Sequence, residues 1–232
     1  MPRKVEGQLA YVLHSRPYRN TSLILETFTA NMGRQTLVAR SARGLKSRFQ
    51  GQLQSFVPLV ISYSGQGELK NLTAAELIRR PYDLEGCDMM CGFYLNELLL
   101  RLLQKGEEHK ALFFEYEKTL GLLEKRSNVE LNLRLFEKKL LSELGYAINL
   151  STDAVTGMPI DAGQWYQFLS DQGFVEATSV IRGANVYSGD SLLAFATGDL
   201  ISSDHFSDAK RLMRQALAVY LGHKPIKSRE CL

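Results

Sequence analysis

Cysteine is scarce in this sequence: Cys87, Cys91 and Cys231 are the only three in 232 residues, an odd count that argues against a disulfide framework. No run approaches the roughly 18 apolar residues of a membrane span. Met1-Pro2-Arg3-Lys4-Val5-Glu6 is basic but leads into no apolar signal segment. The expected setting is therefore a reducing, bacterial-type cytoplasm. Catalytic signatures are missing as well. There is no Walker loop, no G-x-G-x-x-G and no G-x-S-x-G. The four histidines, His14, His109, His205 and His223, lack the spacing of a hydrolytic metal site. The expectation is a protein without enzymatic activity and without cofactors; a metal-dependent nuclease is the enzymatic alternative.

Negative charge is missing from one region only. Between Glu26 and Glu68 there is no acidic residue, while Arg34, Arg40, Arg43, Lys46 and Arg48 all fall there. Residues 1–80 hold 12 Lys and Arg against 4 Asp and Glu, a net of +8. Residues 81–232 hold 16 against 21, a net of −5. A positive field confined to the first third implies a polyanionic partner for that third.

What is present reads as two parts. In residues 1–80, alternating strand formers recur at about 8–14, 21–29, 34–42, 53–63 and 68–77, the first ending near Arg16-Pro17. Turn chemistry separates them at Asn31-Met32-Gly33 and Ser64-Gly65-Gln66-Gly67. Five short strands predict a small closed barrel, and five is the strand count of the OB-fold. Pro81 marks the change to a helical part, 81–232. Residues 88–104 are apolar almost all round, as in a buried helix. A second helix is predicted over 110–125. A third opens on the capping-box pattern Ser127-Asn128-Val129-Glu130 and closes at Gly145. Residues 146–187 read as irregular, with a possible hairpin at Gln172-Gly173-Phe174; a two-turn helix follows Ser188, and a longer one spans 203–221 and stops at Gly222. The predicted class is α+β: a five-stranded OB-fold barrel, then an all-helical domain with a small irregular C-terminal region.

The loop Ser41-Ala42-Arg43-Gly44-Leu45-Lys46-Ser47-Arg48 is the strongest local signal. Its small residues let a phosphate backbone approach, and Arg43, Lys46 and Arg48 supply charge. Phe49 is the best candidate for an exposed ring that stacks bases. Little sequence specificity is expected, because nothing points to reading of base edges. A second basic cluster, Lys210, Arg211 and Arg214 followed by Lys224, Lys227 and Arg229, reads either as a second phosphate-facing patch or as complement to a helix dipole. On the third helix, Val129, Leu133, Phe136, Leu140 and Leu144 form a core stripe. Leu131 and Leu135 point nearly opposite, beside Arg134 and Lys138. That face suits a peptide with an apolar side chain and a carboxylate. Equally, it suits a helix buried on two sides with Arg134 pairing Glu130. Cys87 and Cys91, four apart, are either half of a zinc site or two small core residues.

The sequence resembles the RecO family of bacterial recombination mediators over nearly its whole length. The resemblance is carried by Leu13-His14-Ser15-Arg16-Pro17-Tyr18, Thr21-Ser22-Leu23-Ile24-Leu25, Gly33-Arg34 leading to Ala42-Arg43, Tyr94-Leu95-Asn96-Glu97-Leu98, Arg134-Leu135-Phe136-Glu137, Leu144-Gly145-Tyr146 and Gly222-His223-Lys224-Pro225-Ile226-Lys227-Ser228-Arg229-Glu230. It implies an N-terminal OB-fold and a helical domain. It implies binding of single- and double-stranded DNA, ATP-independent annealing, docking on the acidic C-terminal tail of single-stranded DNA-binding protein, and cooperation with RecR to load RecA. From charge alone, DNA is expected to meet Arg16, Arg34 and Arg40 together with the loop and the second cluster; the resemblance implies that Arg134 holds the tail. Many family members carry a four-cysteine zinc site after the third helix. Here the matching stretch, Ser151-Thr152-Asp153-Ala154-Val155-Thr156-Gly157, has no cysteine. No structural zinc is therefore expected, with Trp165, Tyr166, Phe168 and Phe174 as candidates to order the region instead. An RNA-binding OB-fold adaptor is the alternative that barrel and charge alone leave open.

Overall fold

A computed structural model describes residues 4–44, 46–177, 185–222, 226 and 228. They form two compact units, one of residues 4–127 with Ile226 and Ser228, the other of residues 128–222.

The first unit contains β1 (Lys4–Tyr18), β2 (Ser22–Thr29), β3 (Gly33–Ala39), β4 (Leu59–Ser64) and β5 (Leu69–Leu77), then α1 (Gly86–Leu102) and α2 (Lys110–Glu124). The strands close a barrel in the order β1-β2-β3-β5-β4. All neighbours are antiparallel except β3 and β5, which pair in parallel at Thr36–Leu69 to Val38–Asn71. Period-two alternation sends Ala10, Val12, Leu25, Leu37, Leu59, Ile61 and Leu72 into the interior. Tyr11 and Phe28 meet Phe113 and Tyr116 of α2 with ring centroids 5.2–6.4 Å apart. Buried Asn96 of α1 donates to Leu13 O at 3.0 Å and accepts from the Tyr116 hydroxyl at 2.6 Å, so one amide ties β1, α1 and α2 together.

β1 runs past the turn expected at Pro17. Its first half, Lys4 to Ala10, pairs with β4, whereas from Tyr11 onward it pairs with β2 alone. A proline without an N–H is tolerated on such an edge. β3 and β4 are shorter than their apolar patterns. Phe49, Leu53 and Val57 are buried in the barrel core from the loop between them. Phe56 there has φ 64, and Pro58 cannot donate, so the loop plugs the barrel without joining the sheet. Phe49, expected to be exposed for stacking, is thus only 3% exposed and serves as core.

The second unit contains α3 (Val129–Glu143), β6 (Trp165–Leu169), β7 (Gly173–Glu176), β8 (Val186–Ser188), α4 (Gly189–Thr197) and α5 (Ser203–Leu221). The region read as irregular holds a three-stranded antiparallel sheet ordered β7-β6-β8. The hairpin expected around Gly173 is its β6–β7 pair. α4 and α5 are capped as their sequences suggest, with Ser188 and Ser202 hydroxyls accepting from Ser191 N and His205 N. The N-cap of α3 is Asn128, one residue later than the Ser127 of the expected capping box, at φ 41 and without a side-chain cap bond of its own.

Candidate nucleic-acid interface

The hairpin end of the barrel, where β1 turns into β2 and β3 runs into its loop, gathers the exposed cations. Register places them together. Pro17 faces Leu23, and Leu23 faces Ala39. Arg16, the turn residue Arg19 and Arg40 therefore surround one rim. The loop after Arg40 folds back on the turn, with Arg43 N donating to Thr21 O at 2.8 Å. Arg16, Arg19, Arg40, Arg43, Lys46 and Arg48 are all exposed. Among the described residues, none of these six lies within ion-pair distance of an acid. Six cations without counter-charges on one rim form the kind of surface that a polyphosphate neutralises. The rings nearby are occupied by the cations themselves: the guanidiniums of Arg19 and Arg48 lie over Tyr18 and Phe49 at 5.2 and 4.7 Å. Arg19 escaped the sequence reading; its only signal there is a cation in the turn Arg19-Asn20-Thr21.

Arg34, expected beside these residues, lies at the other end of the β2–β3 hairpin, next to the Thr29–Gly33 pair. Five residues of strand lie between Arg34 and Arg40, which places them about 20 Å apart. Its guanidinium donates to Leu100 O at 2.6 Å and so braces α1. Gly33 beside it has φ 57, and a Cβ there would sit 1.6 Å from Glu107 O. Glycine is thus required for the 105–107 segment to lie against β3.

Among the described residues of the second basic cluster, Arg211 and Lys210 meet partners within their own unit. Arg211 donates to Val186 O and Asp208 Oδ1 at 2.6 and 2.7 Å and lies over the Tyr187 ring. Lys210 is 4.0 Å from Glu130. Arg214 is exposed. Lys224, Lys227 and Arg229 lie outside the described residues.

The expected peptide face on α3 is altered in one essential respect. Leu131 and Leu135 are half-buried, but Arg134 is 3% exposed and forms an ion pair with the fully buried Glu137 at 3.0 Å. The partner is i+3, not Glu130, because Glu137 shares the inward side of the helix. Arg134 therefore is not available at the surface for an incoming carboxylate. Lys138 donates to Phe195 O and Ala196 O, both at 2.9 Å, at the C-terminal end of α4. Desolvation holds its pKa below the ordinary lysine range. Beside it, Leu135, Lys139, Ser142, Ile148 and Asn149 line a cavity of about 360 Å³.

The stretch matching the family's zinc site does not fit that metal. Its one strong ligand, Asp153, is only 5% exposed and already accepts four hydrogen bonds. Oδ1 takes Val155 N, Thr156 N and Thr156 Oγ1 at 2.9, 2.7 and 3.0 Å; Oδ2 takes Glu176 N at 2.7 Å. The Thr156 amide, followed by the Glu176 and Val155 amides, holds the carboxyl below its usual range. Phe168, Phe174 and Tyr187 pack beneath, with centroids 5.1 and 5.9 Å apart. Cys87 is exposed and Cys91 buried, and neither is in a disulfide. Among the described residues no three His, Cys, Asp or Glu are placed to hold a metal, and no helix is long and apolar enough to cross a membrane.

Comparison with known proteins agrees with this architecture. Residues 5–81 match the family model for the recombination protein O N terminal region, and 86–230 that for the recombination protein O C terminal region. The chain is 47% identical over 234 aligned positions to "DNA repair protein RecO" of Coxiella burnetii, covering all of both chains. It is 44% identical to the protein of that name from Nitrosococcus oceani, over 99% of this chain and 93% of the other. It is 40% identical to that of Photobacterium profundum, over 97% and 95%. With both halves matched in order and identity high from end to end, the chain belongs to the RecO family.

Proposed function

We propose that the hairpin end of the barrel binds the phosphodiester backbones of single- and double-stranded DNA, and that the chain acts in recombinational repair as an annealing and loading mediator, not as an enzyme. The role in DNA repair is that of the family. The finer steps follow from charge. Cations that neutralise two strands at one rim lower their mutual repulsion, so complementary bases pair without ATP. Docking of the single-stranded DNA-binding protein tail brings this activity to coated strands, and with RecR the protein helps load RecA in the bacterial cytoplasm, on the nucleoid. For the tail, the cavity whose lining combines Leu135, Ile148 and Leu150 with Lys138 and Lys139 supports an aliphatic or aromatic side chain next to acidic residues. Two linked weak sites raise the effective concentration of one ligand near the other.

The observation that carries this reading is the six exposed cations of the hairpin end, none paired with an acid among the described residues. If five of them meet phosphates of a single strand, log K falls with log salt at a slope of about −3.5, roughly a hundredfold loss from 50 to 200 mM. Titration of a labelled oligonucleotide at several salt concentrations tests this. Lys46→Ala with Arg48→Ala is expected to flatten the slope by about 1.4 and weaken all sequences alike. Unchanged binding by that variant refutes the assignment. A matched RNA oligonucleotide that binds more tightly than DNA favours the adaptor alternative.

A further inference from the structure

Arg43 stands apart from its neighbours in what its guanidinium does. Nη2 donates to Arg19 O and Asn20 O at 2.8 and 2.7 Å, and Nε donates to Ser22 O at 3.3 Å. With its own amide on Thr21 O at 2.8 Å, this one residue reaches the carbonyls of four consecutive residues, Arg19 to Ser22. Both segments it joins hold non-glycine residues in the left-handed region: Arg19 at φ 51 in the turn and Ser41 at φ 56 in the loop. Such conformations persist only where their surroundings impose them. The turn carries Arg19 and follows directly on the strand end that carries Arg16; the loop carries Arg40, Lys46 and Arg48.

We infer that Arg43 is a positioning residue: it straps the β1–β2 turn to the 40–48 loop and so holds two sets of phosphate-binding cations as one preorganised surface. Carbonyl oxygens converge on it as they would on a bound cation, and its planar fork reaches several of them at once. A lysine ammonium on its flexible stem satisfies fewer of them in fixed geometry. The other loop cations donate no hydrogen bond to the turn. They are the ones free to face a ligand, while Arg43 decides where they stand.

This inference rests on the DNA-binding reading of the same end, and the test separates the two. Arg43→Lys and Arg43→Ala are titrated with labelled single-stranded DNA at 50–200 mM salt, beside Lys46→Ala. Amide hydrogen exchange at residues 19–22 and thermal melting are followed in parallel. If Arg43 straps, Lys fails to rescue: both variants lose about tenfold or more in affinity. Their salt slope then falls by clearly more than the ~0.7 that one lost phosphate contact gives on a single strand. Exchange at 19–22 rises in both, and melting is nearly unchanged. If Arg43 is an ordinary phosphate ligand, Lys stays within about twofold of the parent, Ala costs a slope of about 0.7, and exchange is unaltered; that result overturns the strap. Arg43→Lys retains charge and most of the bulk, so the comparison holds even if Ala unfolds the loop. An unaffected Lys46→Ala together with a flat parent slope instead refutes the DNA-binding reading itself.

Discussion

Asp153 offers a direct measure of how the cysteine-free stretch 151–157 is ordered. Its carboxylate accepts three backbone N–H groups and one hydroxyl, and through Glu176 N it joins the 153–157 turn to β7. Each hydrogen bond to a charged group contributes about 1.5–3 kcal/mol, and a donor left buried without a partner costs about 1–3 kcal/mol. Val155 and Thr156 are exposed, so water replaces part of what they lose. For Asp153→Ala a net loss of about 3 kcal/mol is expected from these ranges. Asp153→Asn keeps the Oδ1 acceptor but turns an NH2 toward Glu176 N, costing about 1–2 kcal/mol. The sign with pH follows from the lowered folded-state pKa. The stabilisation is fully present above the unfolded-state value, about 3.9. It is lost as pH falls through the lower folded-state value. Parent and Asn variant should thus differ by a constant amount from pH 5 to 8 and converge in strong acid. Urea denaturation, with hydrogen exchange at 153–157 and 173–176, reads this out. An Ala variant within about 0.5 kcal/mol of the parent at pH 7, with unchanged exchange, would show that the aromatic cluster alone orders the region.

Two further substitutions probe residues that the fold reassigns. Gly33→Ala places a methyl 1.6 Å from Glu107 O at a backbone φ of 57, so a loss above about 3 kcal/mol is expected in chemical denaturation, relieved only if the 105–107 segment moves away. Arg134→Ala removes the partner 3.0 Å from a fully buried carboxylate and should destabilise the second unit by about 3–5 kcal/mol. The paired change Arg134→Met with Glu137→Leu should be near neutral. If Arg134→Ala instead leaves the urea midpoint unchanged and abolishes tail-peptide binding, Arg134 is a surface ligand after all.

The barrel was legible because period-two alternation and turn residues are local properties. The same holds for α4 and α5, whose Ser188 and Ser202 caps and Gly198 and Gly222 ends are written in adjacent residues. The small sheet of residues 165–188 was harder to read, since its strands are three to five residues long, too short for periodicity to speak. Leu53 and Val57 were misleading for a related reason, since a loop that plugs a barrel and a strand that lines it bury the same residue types; Phe49 was read as an exposed ring because nothing local records that its loop folds into the barrel.

By itself the sequence determined the barrel's strand count, most helix limits and the location of the positive field, since each depends on spacing along the chain or on charge that no fold can remove. Tertiary structure alone decided which cations meet. It sent Arg34 to the far end of its hairpin, buried Arg134 against Glu137, brought in Arg19, and set the Arg43 guanidinium against the backbone carbonyls of the turn. A side chain's partners are fixed by closure of the barrel and packing of the helices, which join residues distant in sequence; composition and periodicity carry no record of that.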